Sequence, residues 1–228
     1  KLVLGAKLIE WKTSNKLVPF NIAINQMHER VEAINLNKKK QLIWMLEHPD
    51  IYTGGTSSKK EHLLQTNNIP VAQSGRGGSY TYHGPGQRVI YVMLDLKKQD
   101  KDIKKFVWNL EQWIILSLWE LGVVGERRYN RVGIWIDRKS ILDNNNASKD
   151  FKEFKIASVG LRLKRWISFY GVSINVNPDL SYFDGIIPCG TPGFGVTSLH
   201  NLGLKTSLTE LDSILKDKFN TVFKTTQV

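Results

Sequence analysis

Apolar residues recur at helical spacing in three stretches of the chain. After Pro19, the residues Phe20, Ala23, Ile24, Met27, Val31 and Ile34 fall three and four positions apart, which predicts a helix with one apolar face. Between Asp102 and Leu121, Ile103, Phe106, Val107, Leu110, Trp113, Ile114, Ser117, Leu118 and Leu121 trace a second face. Gly122 then stands where a helix can end in a left-handed residue. Ser207 to Phe223 predicts the third helix, opened by Ser207 with Glu210 three residues on, the spacing of a capping box. Ser58 and Glu61 share that spacing and predict a short helix over 59–65.

Short apolar runs bounded by turn residues predict strands at 2–9, at 41–47 up to the stop at Pro49, at 89–96 and at 132–136. Residues 154–163 and 166–177 predict a strand pair joined at Lys164–Arg165. Two glycine- and proline-rich stretches interrupt the pattern, SGRGGSYTYHGPG at 74–86 and GIIPCGTPGFG at 185–195. Glycine serves where a backbone turns with positive φ or passes close to a ligand. The polar, asparagine-rich 138–150 predicts a surface loop. Strands and helices interleave without strict alternation, and several strands are sequence neighbours, so antiparallel pairs are expected. The expected fold class is α+β, a mixed β-sheet flanked by helices. A single domain over 1–228 follows from length, because cores grow to roughly 250–300 residues before chains split.

Composition narrows the function classes. No apolar run approaches the ~20 residues of a membrane span, so no membrane association is expected. Lys1 to Trp11 is short and mixed in charge and lacks a small-residue cleavage site, unlike a secretory signal. The single cysteine forbids an internal disulfide and fits a reducing compartment. These features fit the bacterial cytoplasm, the expected compartment, and leave a mitochondrial origin open. The five histidines, at 28, 48, 62, 83 and 200, show no metal-ligand spacing, so no metal is expected. The net charge of +11 attracts anionic partners, and both nucleic acid and an acidic protein would feel that field.

Three features can carry chemistry. Cys189 lies in the second glycine-rich loop rather than among aliphatics, which fits a nucleophile, although a buried structural cysteine is the alternative. A free thiol titrates near ~8.5, so a catalytic cysteine needs a cation, a base or a helix N-terminus beside it. Lys155 opens KIASVG, where small and apolar residues follow at once. A desolvated lysine there can polarise a thiol or act as a base, whereas most lysines are solvated surface charges. The loop Arg76 to His83 (RGGSYTYH) reads either as a tight connection or as the backbone wall of a ligand slot. In the second case Arg76, Tyr82 and His83 would be polar contacts, and His83 would be a base or a hydrogen-bonded structural residue. Neither a Walker motif nor G-x-G-x-x-G is present, and no G-x-S-x-G marks a serine hydrolase. A cysteine–histidine hydrolase using His83 or His200 stays open.

Four segments in order, HPDIYTGG (48–55), SGRGGSYTYHGPGQRVIYVMLDL (74–96), KIASVGLRLKRWISFYGVSINVNPD (155–179) and IIPCGTPGFGVTSL (186–199), resemble the octanoyl-carrier:protein octanoyltransferases. The resemblance implies the fold of lipoate- and biotin-protein ligases. It also implies octanoyl transfer from acyl carrier protein to a lysine of lipoyl domains, in 2-oxoacid dehydrogenase E2 subunits and the glycine cleavage H protein. By that resemblance Cys189 forms the acyl-thioester and Lys155 lowers its pKa and handles protons. Substrate contacts fall on Arg76, Gly77, Gly78, Ser79, Tyr80, Thr81, Tyr82 and His83, on Ser158, Val159 and Gly160, and on Gly171, Val172 and Ser173. No cofactor is implied, and a monomer is expected. One departure is visible: Tyr170-Gly171-Val172-Ser173 replaces the His-Gly-Leu-Ala of many members. Two other readings compete. An ATP-dependent lipoate ligase on the same fold would not need Cys189, and a basic nucleic-acid-binding module has charge alone in its favour.

Overall fold

The computed structural model describes residues 9–98, 101–140, 151–187, 190 and 193–224. Eleven strands appear in the described chain: β1 (Ile9–Thr13), β2 (Gln41–Leu46), β3 (Ile51–Gly54), β4 (Val71–Gln73), β5 (Thr81–His83), β6 (Gln87–Met93), β7 (Glu126–Arg128), β8 (Arg131–Asp137), β9 (Glu153–Lys164), β10 (Ile167–Asn175) and β11 (Gly195–Val196). The main sheet runs β1-β2-β6-β10-β9-β8-β7, with β11 added beside β9. Only β1–β2 and β9–β11 are parallel within it, so the sheet is mixed. Three helices flank it, confirming the α+β expectation.

Helix α1 (Phe20–Asn35) buries Phe20, Ala23, Met27, Val31 and Ile34, the predicted face, against one side of the sheet. Helix α2 (Ile103–Glu120) and helix α3 (Leu208–Lys224) cover the other side. The Asp102 carboxylate accepts the Lys105 N–H at 3.0 Å, capping α2, and Gly122 follows its end with φ of 77°. Ser207 Oγ accepts the Glu210 N–H at 3.1 Å, so the predicted cap on α3 forms. Trp113 is fully buried between α2 and α3, and its indole N–H donates to the Leu215 carbonyl at 2.7 Å. That bond satisfies the one polar atom of a large apolar anchor. No described helix is long and apolar enough to cross a membrane.

Several expectations need correction. Strand 2–9 falls mostly outside the described residues, and the observed strand is Ile9–Thr13. The 59–65 helix shrinks to a single turn, Lys60–His62, because Ser58 Oγ donates to the Gly55 carbonyl instead of capping. Residues 74–86 are not all loop, since Thr81–His83 pair with Ile51–Thr53 in a second sheet ordered β4-β3-β5. The 138–150 segment begins as a turn at Arg138–Ser140, and 141–150 lie outside the described residues. The β9–β10 hairpin turns on Arg165 and Trp166, one residue later than expected, both left-handed at φ 53° and 66°.

One irregularity creates the site. Strand β8 pairs with β9 only over Glu153–Ala157, while β9 continues to Lys164. Residues 158–163 therefore present an edge with no strand partner on that side among the described residues.

Candidate active site

The loop after β4 closes that edge. Gly77 N–H donates to the Leu161 carbonyl at 2.9 Å, docking the loop on β9. Its other side is pinned by amides arriving from beyond β3. Gly55, Thr56 and Ser57 N–H groups donate to the carbonyls of Ser79, Arg76 and Gly78 at 3.2, 2.8 and 3.0 Å. The buried Arg76 guanidinium donates to the carbonyl and hydroxyl of Thr53 at 2.7 and 2.9 Å. Two glycines are needed for this approach. A β-carbon on Gly55 would lie 2.2 Å from the Gly78 carbonyl oxygen, and one on Gly160 would meet Arg76 Cδ at 3.0 Å. Tyr170, the position that departs from the family pattern, adopts φ of 61° and accepts the Gly75 N–H at 3.1 Å.

A cavity of about 440 Å³ opens between this loop and the sheet. It is lined by Arg76–Thr81 and His83, by Ser158–Gly160, and by Gly171–Ser173, together with Lys155. Sequence-distant segments flagged by the resemblance thus meet at one wall. Phe20, Val89, Tyr91 and Tyr170 line it from the α1 side, and Val107, Leu161 and Leu163 from the α2 side. Tyr82 is the exception. It does not line the cavity; it is buried among Tyr52, Tyr182 and Phe183, and its hydroxyl donates to Asp50 Oδ1 at 2.6 Å. The alternation of β5 explains this, since neighbours on a strand face opposite ways. Cys189 lies outside the described residues.

Lys155 is buried on β9, with Nζ 5.0 Å from the centre of the Trp135 ring. Its place is made by Gly133, where a β-carbon would lie 2.4 Å from Lys155 Cε. Gly133 has φ of 127° beside a register shift between β8 and β9, and its N–H donates to Glu111 Oε1 on α2 at 2.9 Å. Glu111 is held in turn by Arg127 at 3.1 Å. An isolated glycine inside an apolar strand pattern was the available signal, because it marks a bulge or a close approach.

The histidines are structural in character. Carbonyls only accept, so His48 Nδ1–H donates to Val18 O at 2.6 Å and Nε2 accepts the Tyr91 hydroxyl at 2.6 Å. Gln87 Nε2 donates to Asn175 Oδ1 at 2.9 Å, leaving Gln87 Oε1 to accept His83 Nδ1–H at 2.6 Å. Burial holds His48 down to about 4, and burial reinforced by His48 and Arg76 holds His83 down to about 3. A ring held that low is a feeble proton acceptor, which weakens the case for His83 as a base. The same polar chain continues: Asn175 Nδ2 donates to Thr197 O at 3.0 Å, and Thr197 N–H donates to the Lys155 carbonyl at 3.0 Å. Sequence reasoning missed Gln87, Asn175 and Thr197, which only tertiary pairing brings together. It also missed His62, whose Nδ1 is 3.2 Å from Ser79 Oγ and whose ring lies against Gly190. His200 instead approaches the Thr206 carbonyl at 3.3 Å. Among the described residues no three His, Cys, Asp or Glu gather as metal ligands.

Residues 20–220 match the family model described as lipoyl protein ligase A/B catalytic domain. The chain belongs to that family. Within it, the chain is 47% identical over 223 residues to a protein of Bartonella henselae named octanoyltransferase, covering 98% of this chain and 90% of that one. The lipoyl protein ligase A/B domain seen here is accordingly an acyltransferase. Among solved structures it is similar to a bi-partite lipoate protein ligase of Thermoplasma acidophilum, with a TM-score of 0.66 at 17% identity, covering 94% of this chain and 84% of that one. Similarity extends to a biotin protein ligase from Aquifex aeolicus, with a TM-score of 0.50 at 12% identity over 96% of this chain and 71% of that one. At such identities the likeness concerns the fold, and it matches the ligase-like fold expected from the sequence.

Proposed function

We propose that the protein moves an octanoyl group from acyl carrier protein, through a thioester on Cys189, to a lysine of lipoyl domains. The observation that carries this reading is the cavity itself. It joins the Arg76–Thr81 loop, the Ser158–Gly160 edge and Gly171–Ser173 around a buried lysine, with apolar walls on both sides. Its volume falls within the usual range for small-ligand sites. Apolar walls suit an alkyl chain, and the glycine-rich loop offers amide groups where charge develops on an attacked carbonyl.

The steps balance without a cofactor. In the resting pair the Cys189 thiol proton resides on Lys155, so the sulfur is a thiolate beside an ammonium. The thiolate attacks the donor thioester, and the tetrahedral intermediate expels the carrier thiolate, which receives the proton from the Lys155 ammonium. The acceptor amine then attacks the acyl-cysteine, its C–N bond forms as the C–S bond breaks, and the surplus proton passes to Lys155, which restores the resting pair. Such chemistry suits a reducing compartment, and we place the protein in the bacterial cytoplasm as a monomer.

Intact mass is the test. Incubation with octanoyl-carrier alone, without ATP, should add one octanoyl group that hydroxylamine removes, and Cys189→Ser should add none. No adduct on the reduced native protein would overturn the cysteine mechanism and favour the ATP-dependent ligase reading.

A further inference from the structure

Strand β8 has one residue outside its ladders. Among the described pairs, β7 meets β8 at Arg131 and Trp135, and β9 meets it from Ile134 onward, so Gly133 has no register partner on either side. Its buried N–H donates across the layers instead, to Glu111 Oε1 on α2 at 2.9 Å. Glu111 is buried too, on the helix face that carries Leu110 and Trp113. Its other oxygen accepts from Arg127 Nε at 3.1 Å. That guanidinium also donates to the Trp108 carbonyl at 2.8 Å and to Gln112 Oε1 at 3.0 Å. One carboxylate thus holds both strands of the β7–β8 hairpin to the helix.

Stability alone does not account for a carboxylate in this place. A buried ion pair contributes little net stability, and an apolar side chain of similar volume often serves as well. An apolar side chain cannot, however, accept the Gly133 amide. A buried N–H without an acceptor is strongly disfavoured, so β8 would shift to find one.

Such a shift would reach Lys155. The ladders fix the Lys155 backbone between Trp135 on one side and Val196 on the other. Its side chain runs past Gly133, where a β-carbon would lie 2.4 Å from Cε and 3.0 Å from Nζ. A single backbone residue therefore separates the Glu111 carboxylate from the wall of the lysine groove. Glu111 itself does not line the cavity.

We infer that Glu111 is a positioning residue for Lys155. By holding the Gly133 amide against α2, it keeps open the groove that the lysine side chain occupies. The inference rests on the reading of Lys155 as the proton partner of Cys189 given above.

Two substitutions separate accepting the amide from carrying a charge. Glu111→Gln keeps an oxygen for the Gly133 N–H, whereas Glu111→Leu, or Glu111→Met if the leucine variant does not fold, keeps only bulk. Single-turnover acylation at saturating octanoyl-carrier should fall at least about tenfold in the apolar variant, with donor KM within about twofold of native. Glu111→Gln should hold the rate within about threefold of native. A second readout does not require a working enzyme. Labelling of the Lys155 amine by methyl acetimidate, followed by peptide mass spectrometry, should speed up several-fold in the apolar variant and stay native in Glu111→Gln. Ser207→Ala removes the cap of α3 without touching β8, and it should keep both native values while losing stability.

Native labelling in the apolar variant overturns the proposal, whatever its rate. An equally slow Glu111→Gln also overturns it, since the effect would then belong to the charge. So does an equal loss in Ser207→Ala, since general destabilisation would then explain it. If the native protein takes up no octanoyl group, the function proposed above fails by itself, and the labelling of Lys155 still decides the role of Glu111.

Discussion

Gly133 leaves the volume that the Lys155 side chain fills, for a β-carbon there would stand 2.4 Å from Lys155 Cε and 3.0 Å from Nζ. The glycine is doubly required, because its φ of 127° also strains any other residue. Gly133→Ala should therefore displace the ammonium as well as add roughly 1–2 kcal/mol of backbone strain. Gly203 also has positive φ, at 86°, but nothing within 4 Å of a β-carbon, so Gly203→Ala isolates the strain. Single-turnover acylation should slow at least tenfold in the first variant and stay near native in the second. Equal rates in both would show that Gly133 does not act through Lys155.

The Tyr170 hydroxyl is an anchor for the cavity loop. It accepts the Gly75 N–H next to Arg76, while its ring stacks on Phe169 with centres 5.2 Å apart. Tyr170→Phe keeps the ring and removes the acceptor. Loss of about 1 kcal/mol of stability is expected for one such bond. The larger effect should appear in donor KM, raised several-fold as the loop loosens, with kcat less affected. A KM equal to native would show that the Gly55–Ser57 amides, the Gly77–Leu161 bond and the Arg76–Thr53 contacts hold the loop without the tyrosine hydroxyl.

Acid should destabilise the fold before its carboxylates titrate. His48 and His83 are held down to about 4 and about 3, whereas each takes a proton near ~6.5 in the unfolded chain. Below pH ~6.5 the unfolded state therefore binds more protons. The stability the neutral rings contribute is full above that pH and declines towards the folded values, by ~1.4 kcal/mol per pH unit for each histidine. Urea midpoints between pH 6.5 and 5 should fall with that slope, and His48→Gln should remove about half of it. An unchanged slope in the variant would mean that the His48 ring is already protonated in the fold.

Elements whose stability comes from one continuous apolar face were legible in the chain. Phe20 to Ile34 and Phe106 to Leu118 bury most of the residues their spacing names, with Ile103 left exposed at the start of the second helix, because a helix satisfies its own backbone and needs only a surface to lie on. The small sheet was not legible. Its strands at 51–54, 71–73 and 81–83 are too short for a period to show, and partners from elsewhere in the chain hold them. The site divides the same way. Arg76 to Ser79 could be found from glycine density, but the polar chain from His83 through Gln87 and Asn175 to Thr197 exists only after β6, β10 and β11 are assembled. Ser58 and Glu61 carried a capping signal that Gly55 defeated by offering its carbonyl to the serine.

Arg88 on β6 and Asp212 on α3 form a buried pair that joins the third helix to the sheet. Arg88 Nη2 donates to Asp212 Oδ2 at 3.2 Å. Nε and Oδ1 lie 2.9 Å apart but off the hydrogen-bonding direction, and Arg88 Nη1 also lacks a partner among the described residues. Burial pushes the Asp212 carboxyl up, outweighing the pull of Arg88 and Lys216. A pair this dry and this imperfectly satisfied contributes little net stability, yet either half alone is a stranded charge. Asp212→Ala should lose about 3–5 kcal/mol in urea unfolding, whereas Arg88→Met combined with Asp212→Leu should recover most of it or exceed native stability. The double variant is the decisive one. If it is as unstable as the single one, the pair attracts more strongly than its desolvation opposes it, and α3 is held by charge rather than by Leu211, Leu215 and Phe219.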